Sequence, residues 1–178
     1  MISLFKRLKL RLKDMATISK LCQVAETYAQ KRSEGAPAEE HFLLSALDLP
    51  DGTARRVFER VGASPEQLEK AIDQQHNEAL SYIGVDISKL NIDDSTVDSA
   101  VSPSIPFESK PSAQSLMKEL VKMRRNDKDI PLIGLHIIEV LSSKELGVVA
   151  RTMKLIGISQ DSLKEAVAKE LECYKLSM

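Results

Sequence analysis

The sequence predicts an all-α fold built as two four-helix repeats that pack about a pseudo-two-fold axis into one eight-helix domain. Three observations carry this. Apolar residues recur at helical spacing through most of the chain. Helix stop and start signals punctuate it at matching places. The chain also aligns with itself at an offset of 95 residues.

The elements follow in order. After Thr17, Leu21, Val24, Ala25, Tyr28 and Ala29 mark one helical face. A short apolar element, His41 to Leu47, follows Pro37 and ends at the turn Leu49-Pro50-Asp51-Gly52. A third helix is predicted from Thr53 to Val61, stopped by Gly62 as a C′ glycine. Ser64-Pro65-Glu66-Gln67 then reads as a capping box with proline at the first helical position. The helix it opens presents Leu68, Ala71 and Ile72 to the core.

From Tyr82 to Pro111 the pattern breaks. Gly84, Pro103, Pro106, several serines and the acids Asp86, Asp93, Asp94 and Asp98 read as a long connection. Periodicity resumes with Leu116, Met117, Leu120, Val121 and Met123 on one face. A buried element around Ile133–Leu141, a helix ending near Gly157, and a helix carrying Leu163, Ala166, Val167, Leu171 and Tyr174 complete the second half. The expected organisation is an N-terminal basic extension over 1–14, a first repeat over 15–81, a linker over 82–111 and a second repeat over 112–178.

The self-alignment supports this order. His41 falls on His136, Gly52 on Gly147, Arg56 on Arg151 and Gly62 on Gly157. Ser64, Leu68 and Ala71 fall on Ser159, Leu163 and Ala166, giving seven identities in 31 ungapped positions. Background composition gives roughly two. An internal duplication follows.

Composition narrows the function. Apolar residues are 43% and charged residues 29% of 178, a normal balance for a soluble globular chain. Aromatics are only 4%, with no Trp, which argues against a base-stacking platform. Net charge is -1, but residues 1–13 hold Lys6, Arg7, Lys9, Arg11 and Lys13 and no acid. The remainder is mildly acidic, so nucleic acid is not the expected partner. Cys22 and Cys173 lie in no motif, which suits a reducing cytosol rather than a disulfide framework. No apolar run approaches the length of a membrane span.

Catalytic and metal signatures are missing from the sequence. There is no G-x-S-x-G and no G-x-x-x-x-G-K-[ST]. The acids of 82–111 lack the glycine and closing glutamate of an EF-hand. His76 has no Cys or Glu at ligand spacing along the chain. His41 and His136, equivalent by repeat, are expected to share a structural task such as closing a helix start. No cofactor, metal or catalytic residue is expected.

Two motif runs bear a resemblance to a known family. Glu39-Glu40-His41-Phe42-Leu43-Leu44, with Gly52-Thr53-Ala54-Arg55-Arg56 and Val61-Gly62, resembles the repeat motif of the Clp N-terminal domain. His136-Ile137-Ile138, with Gly147-Val148-Val149-Ala150-Arg151 and Ile156-Gly157, is similar to a second copy. The resemblance implies an eight-helix pseudo-dimer that receives protein substrates or adaptors of AAA+ unfoldases and proteases. It implies a free-standing form here, because no phosphate-binding loop occurs. In some members the acid before the repeat histidine helps to bind phosphorylated arginine. Glu40 holds that position and Leu135 its counterpart, so at most half of such a site is implied.

The function expected is therefore a non-catalytic protein- or peptide-binding module, an accessory or adaptor of a Clp-type unfoldase or protease. The partner surface is expected at the seam between the halves. The alternative is an independent binding module that touches a membrane surface through residues 1–13. There Met1, Leu4, Phe5, Leu8 and Leu12 share one helical face and the basic residues spread over the rest. Candidate partner-binding residues are Phe5, Lys6, Arg7 and Glu40. A simpler reading makes this segment an extension of the first core helix, or places the true start at Met15.

Overall fold

The computed structural model describes residues 4–82, 109–126 and 129–177. Eight helices occur among them: α1 (Leu4–Lys31), α2 (Glu39–Leu47), α3 (Thr53–Arg60), α4 (Pro65–Tyr82), α5 (Pro111–Asn126), α6 (Gly134–Ser142), α7 (Val148–Leu155) and α8 (Gln160–Leu176). The acids Asp86, Asp93, Asp94 and Asp98, most of the 82–111 connection, and Met1 lie outside the described residues. Tyr82 and Pro111, the ends expected for that connection, are the last residue of α4 and the first of α5.

The repeat offset maps α2 onto α6, α3 onto α7 and α4 onto α8. Both copies end their third helix the same way. Gly62 and Gly157 follow α3 and α7 with φ of 75° and 76°, the left-handed conformation that glycine reaches without a Cβ penalty. The capping box before α4 is formed in both directions. Gln67 N–H donates to Ser64 Oγ (3.2 Å) and Ser64 N–H donates to Gln67 Oε1 (2.9 Å). At α8, Ser159 Oγ accepts from Ser162 N–H at 3.1 Å.

The short helices α2 and α6 sit at the centre. Every residue of α2 is buried, and so is all of α6 except Glu139. Phe42, Leu43, Ile137 and Ile138 have no exposed surface, and the two helices pack on each other. Gly134 permits the approach: a Cβ there would stand 2.9 Å from the Ala46 carbonyl and 3.1 Å from Ala54 Cβ. α3 packs on α8 and α4 on α7, so the outer helices of each half cover the other half.

Polar contacts follow the same symmetry. Arg56 on α3 donates to Glu170 on α8 (2.5 Å). Arg151 on α7 donates to Gln75 on α4 (3.2 Å). Position 75 maps onto 170 at the repeat offset, so this is one contact made twice, once charged and once neutral. Arg60 adds two further bonds to Glu170, at 3.0 and 3.2 Å. Glu170 is 2% exposed, and sequence periodicity did not mark it as a core residue.

The first half departs from the second at its start. α5 maps onto residues 16–31, while α1 begins at Leu4 and runs 28 residues, about 42 Å at 1.5 Å per residue. The N-terminal basic segment is thus one continuous helix with the core helix. Val121, expected on the buried face of α5, is 53% exposed. The reason is local: that part of α5 faces α1 across an open groove.

Candidate binding surface

The groove lies between the N-terminal half of α1 and the C-terminal half of α5, and it is about 410 Å³ in volume. Leu10 and Ile18 from α1, Met117, Leu120 and Val121 from α5, and Leu132 before α6 supply its apolar lining. Arg7 and Arg11 stand on the α1 side, and Arg124 and Arg125 on the α5 side. Asp14 is the one acidic lining residue.

Asp14 is committed to holding the groove together. Its Oδ2 accepts from Arg124 Nη2 (2.8 Å) and its Oδ1 from Leu132 N–H (2.6 Å). One turn on, Thr17 Oγ1 donates to the Leu132 carbonyl at 3.1 Å. These contacts fix both the position and the rotation of α1. Four arginines facing one occupied carboxylate make the rim electropositive, and the lining offers apolar burial. Such a surface fits an apolar segment carrying acidic residues.

Phe5, Lys6 and Arg7 are placed on this part of α1. Arg7 lines the groove, while Phe5 is 84% exposed and Lys6 is also exposed. Glu40 is elsewhere, at the start of α2, and is 2% exposed. It sits in a cluster that spacing along the chain did not reveal. His76 Nε2 lies 3.3 Å from Glu40 Oε1 and 3.7 Å from Glu34 Oε1, although no Cys or Glu stands at ligand spacing from His76 in sequence. His41 Nε2 lies 3.5 Å from Glu34 Oε1. Burial alone raises the Glu40 carboxyl, but the neighbouring His76 imidazole and a backbone N–H hold it below its ordinary value. The Glu40 carboxylate in turn raises His76, against a smaller effect of burial. Burial lowers His41, against the pull of Glu40 and Glu34.

Glu34, Glu40 and His41 place potential ligand atoms within 4.8 Å of one another. The hydrogen bonding of His41 argues against a metal there. Its Nδ1 accepts from Ala38 N–H at 2.9 Å. A backbone N–H only donates, so the neutral ring carries its proton on Nε2 and turns a donor toward the carboxylates. Lys110 Nζ already pairs with Glu34 Oε2. The cluster reads as an internal charge network that fastens the start of α5 to the α1–α2 turn.

His136 repeats the cap. Its Nδ1 accepts from Ile133 N–H at 3.2 Å, as His41 does from Ala38. Each histidine occupies the third position of its helix and satisfies the N–H of the residue before the helix. The remaining repeat residues flank these caps. Gly52 and Gly147 precede α3 and α7 with φ of 65° and 115°, and a Cβ on Gly147 would strike the Glu39 carboxylate. The acid side of the α2 start is held across the halves, with Lys144 Nζ donating to Glu39 Oε2 at 2.8 Å.

Comparison with known proteins bears on these features. Residues 16–82 match the family model of the Clp repeat (R) N-terminal domain. The Clp repeat so defined contains α1 from its fourth turn, the His41 cap, both glycine turns and α4. The crystal structure of the N-terminal domain of the caseinolytic protease associated chaperone ClpD from Arabidopsis thaliana is similar in fold. It is 16% identical, with a TM-score of 0.51, covering 90% of this chain and 92% of that one. The all-α Clp N-domain architecture therefore extends over both halves. No curated protein sequence matches the chain. Clp N-domains bind proteins within Clp systems and are not themselves catalytic. Among the described residues no helix is long and apolar enough to cross a membrane.

Proposed function

We propose that the protein is a peptide-binding module of a Clp-type unfoldase or protease system, acting as an accessory or adaptor through the α1–α5 groove. The observation that carries this reading is the apolar groove rimmed by four arginines, between α1 of the first half and α5 of the second. Its occupant is a short amphipathic segment with acidic residues, from a client or from the unfoldase. Residues 15–81 and 112–178 act as one structural unit, with no chemistry of their own. Glu40 serves this unit from inside, by holding His76, rather than as a contact for a partner. The thiols fit that reading: burial and the neighbouring Glu26 raise Cys22 above its ordinary value, which disfavours the nucleophilic thiolate. Two free cysteines also suit a reducing compartment.

The test has two arms. Fluorescence anisotropy with an acidic amphipathic peptide measures groove binding, and Val121→Glu or Arg125→Glu is expected to weaken it by at least about tenfold, one interaction of roughly 1.4 kcal/mol. An affinity capture with and without a non-hydrolysable ATP analogue, read by mass, asks for a Clp-type unfoldase. Capture of the unfoldase by the parent protein and not by Val121→Glu supports the accessory role. Peptide binding without any unfoldase in either condition would make this an independent binding module.

A further inference from the structure

We propose that the outer face of the first four turns of α1 is a membrane-surface anchor, which lies flat on an anionic bilayer. The inference goes beyond the groove reading, because it uses the opposite side of the same helix. Phe5, Leu8, Leu12 and Met15 are 84%, 56%, 59% and 67% exposed. Their spacing places them on one stripe. Leu10, Asp14, Thr17 and Leu21 face the body, and the bonds of Asp14 and Thr17 to Leu132 lock that rotation. At about 100° per residue the stripe is centred roughly 170° away from this face. The body therefore leaves the stripe uncovered.

Charge selects the occupant. Residues 1–13 carry five basic side chains and no acid. On the helical wheel Lys6, Lys9 and Lys13 run along one edge of the stripe, and Arg11 along the other. Long basic side chains on both edges let the apolar stripe enter the headgroup region while the charges stay at phosphate level. A second copy of the chain would set this positive face against itself. Shape separates a bilayer from an acidic protein. The stripe lies on the convex outer side of a single helix, which a plane covers along its length, whereas a protein segment is better served by the concave groove behind it.

Folding removes the usual obstacle to so short an anchor. An isolated 13-residue helix is marginal in water. Here the segment is prolonged by the rest of a 28-residue helix whose core side is packed. The helix is formed before it meets the membrane, so binding does not bear the cost of ordering the segment. Four apolar side chains and a basic edge give weak, salt-sensitive and reversible attachment, in the range of a single lipid chain.

The experiment is flotation of the full chain with two kinds of vesicle. One is phosphatidylcholine alone and the other contains about 30% phosphatidylglycerol, each at about 0.05 M and about 0.5 M salt. The protein is expected to float with the anionic vesicles at low salt and to be released at high salt. Combined Phe5→Glu, Leu8→Glu and Leu12→Glu is expected to abolish flotation with an unchanged melting temperature. Combined Lys6→Glu, Lys9→Glu and Lys13→Glu should also weaken it strongly, since each basic side chain near the surface is worth about fivefold. Val121→Glu, in the groove, should leave it unchanged, which separates failure of this inference from failure of the groove reading. No flotation of the parent protein with anionic vesicles at low salt would overturn the proposal. So would stripe variants that float like the parent. Stripe-dependent binding of an acidic peptide without flotation would assign the face to a protein partner and equally overturn it.

Discussion

Glu170→Gln tests whether the two halves are held together by charge across the α3–α8 contact. The parent carboxylate accepts three bonds: Arg56 Nε on Oε1 at 2.5 Å, and Arg60 Nε and Nη2 on Oε2 at 3.2 and 3.0 Å. Glutamine has nearly the same shape but presents one oxygen and one NH2. Whichever way the amide turns, an arginine donor meets a donor. At least one charge-assisted bond is lost, worth about 1.5–3 kcal/mol when fully buried. Arg56 and Arg60 are 46% and 38% exposed, so both can turn toward water, and screening reduces the loss to about 1–2 kcal/mol. For a chain of this length that lowers Tm by about 2–8 °C. Circular dichroism melts at about 0.05 and 0.5 M salt measure it, and the gap from the parent should narrow at high salt. The symmetry-related control is Gln75→Glu opposite the exposed Arg151, expected to gain no more than about 0.5–1 kcal/mol. A change below about 0.5 kcal/mol for Glu170→Gln, or a gap insensitive to salt, would show that charge does not hold the α3–α8 contact.

The other predictions concern the repeat motif. His41→Ala leaves the Ala38 N–H without its acceptor in a buried site and should cost about 1–3 kcal/mol in urea titration. His41→Gln should restore much of the loss, because Gln67 makes the same reach at the start of α4. His136→Ala should behave alike, and a neutral result at both would show that these histidines do not cap their helices. Gly62→Val and Gly157→Val should each destabilise by about 1–2 kcal/mol, since both glycines are left-handed. No neighbouring atom lies within 4 Å of a Cβ at either site, so backbone strain is the whole effect and alanine should cost somewhat less than valine.

The helices and their order follow from local residue pattern. Caps and glycine stops are local events: Ser64 and Gln67 bond within four residues, and Gly62 adopts its conformation whatever lies beyond it. The duplication was legible because both copies solve the same local problem with the same residues. The role of His41 was legible for that reason too. Contacts between residues far apart in the chain depend instead on how the helices pack. Periodicity put Val121 in the core, yet the separation of α1 and α5 leaves it in a groove. Spacing along the chain gives His76 no Cys or Glu, yet the fold brings it to Glu34 and Glu40. Helical periodicity does not mark Glu170, and packing sets it against two arginines some 110 positions away. The chain shows five basic residues before Asp14 but not which way their helix turns. The Asp14 and Thr17 bonds to Leu132 fix that rotation. A helical period defines faces without saying what each face meets, and that depends on how separate helices pack.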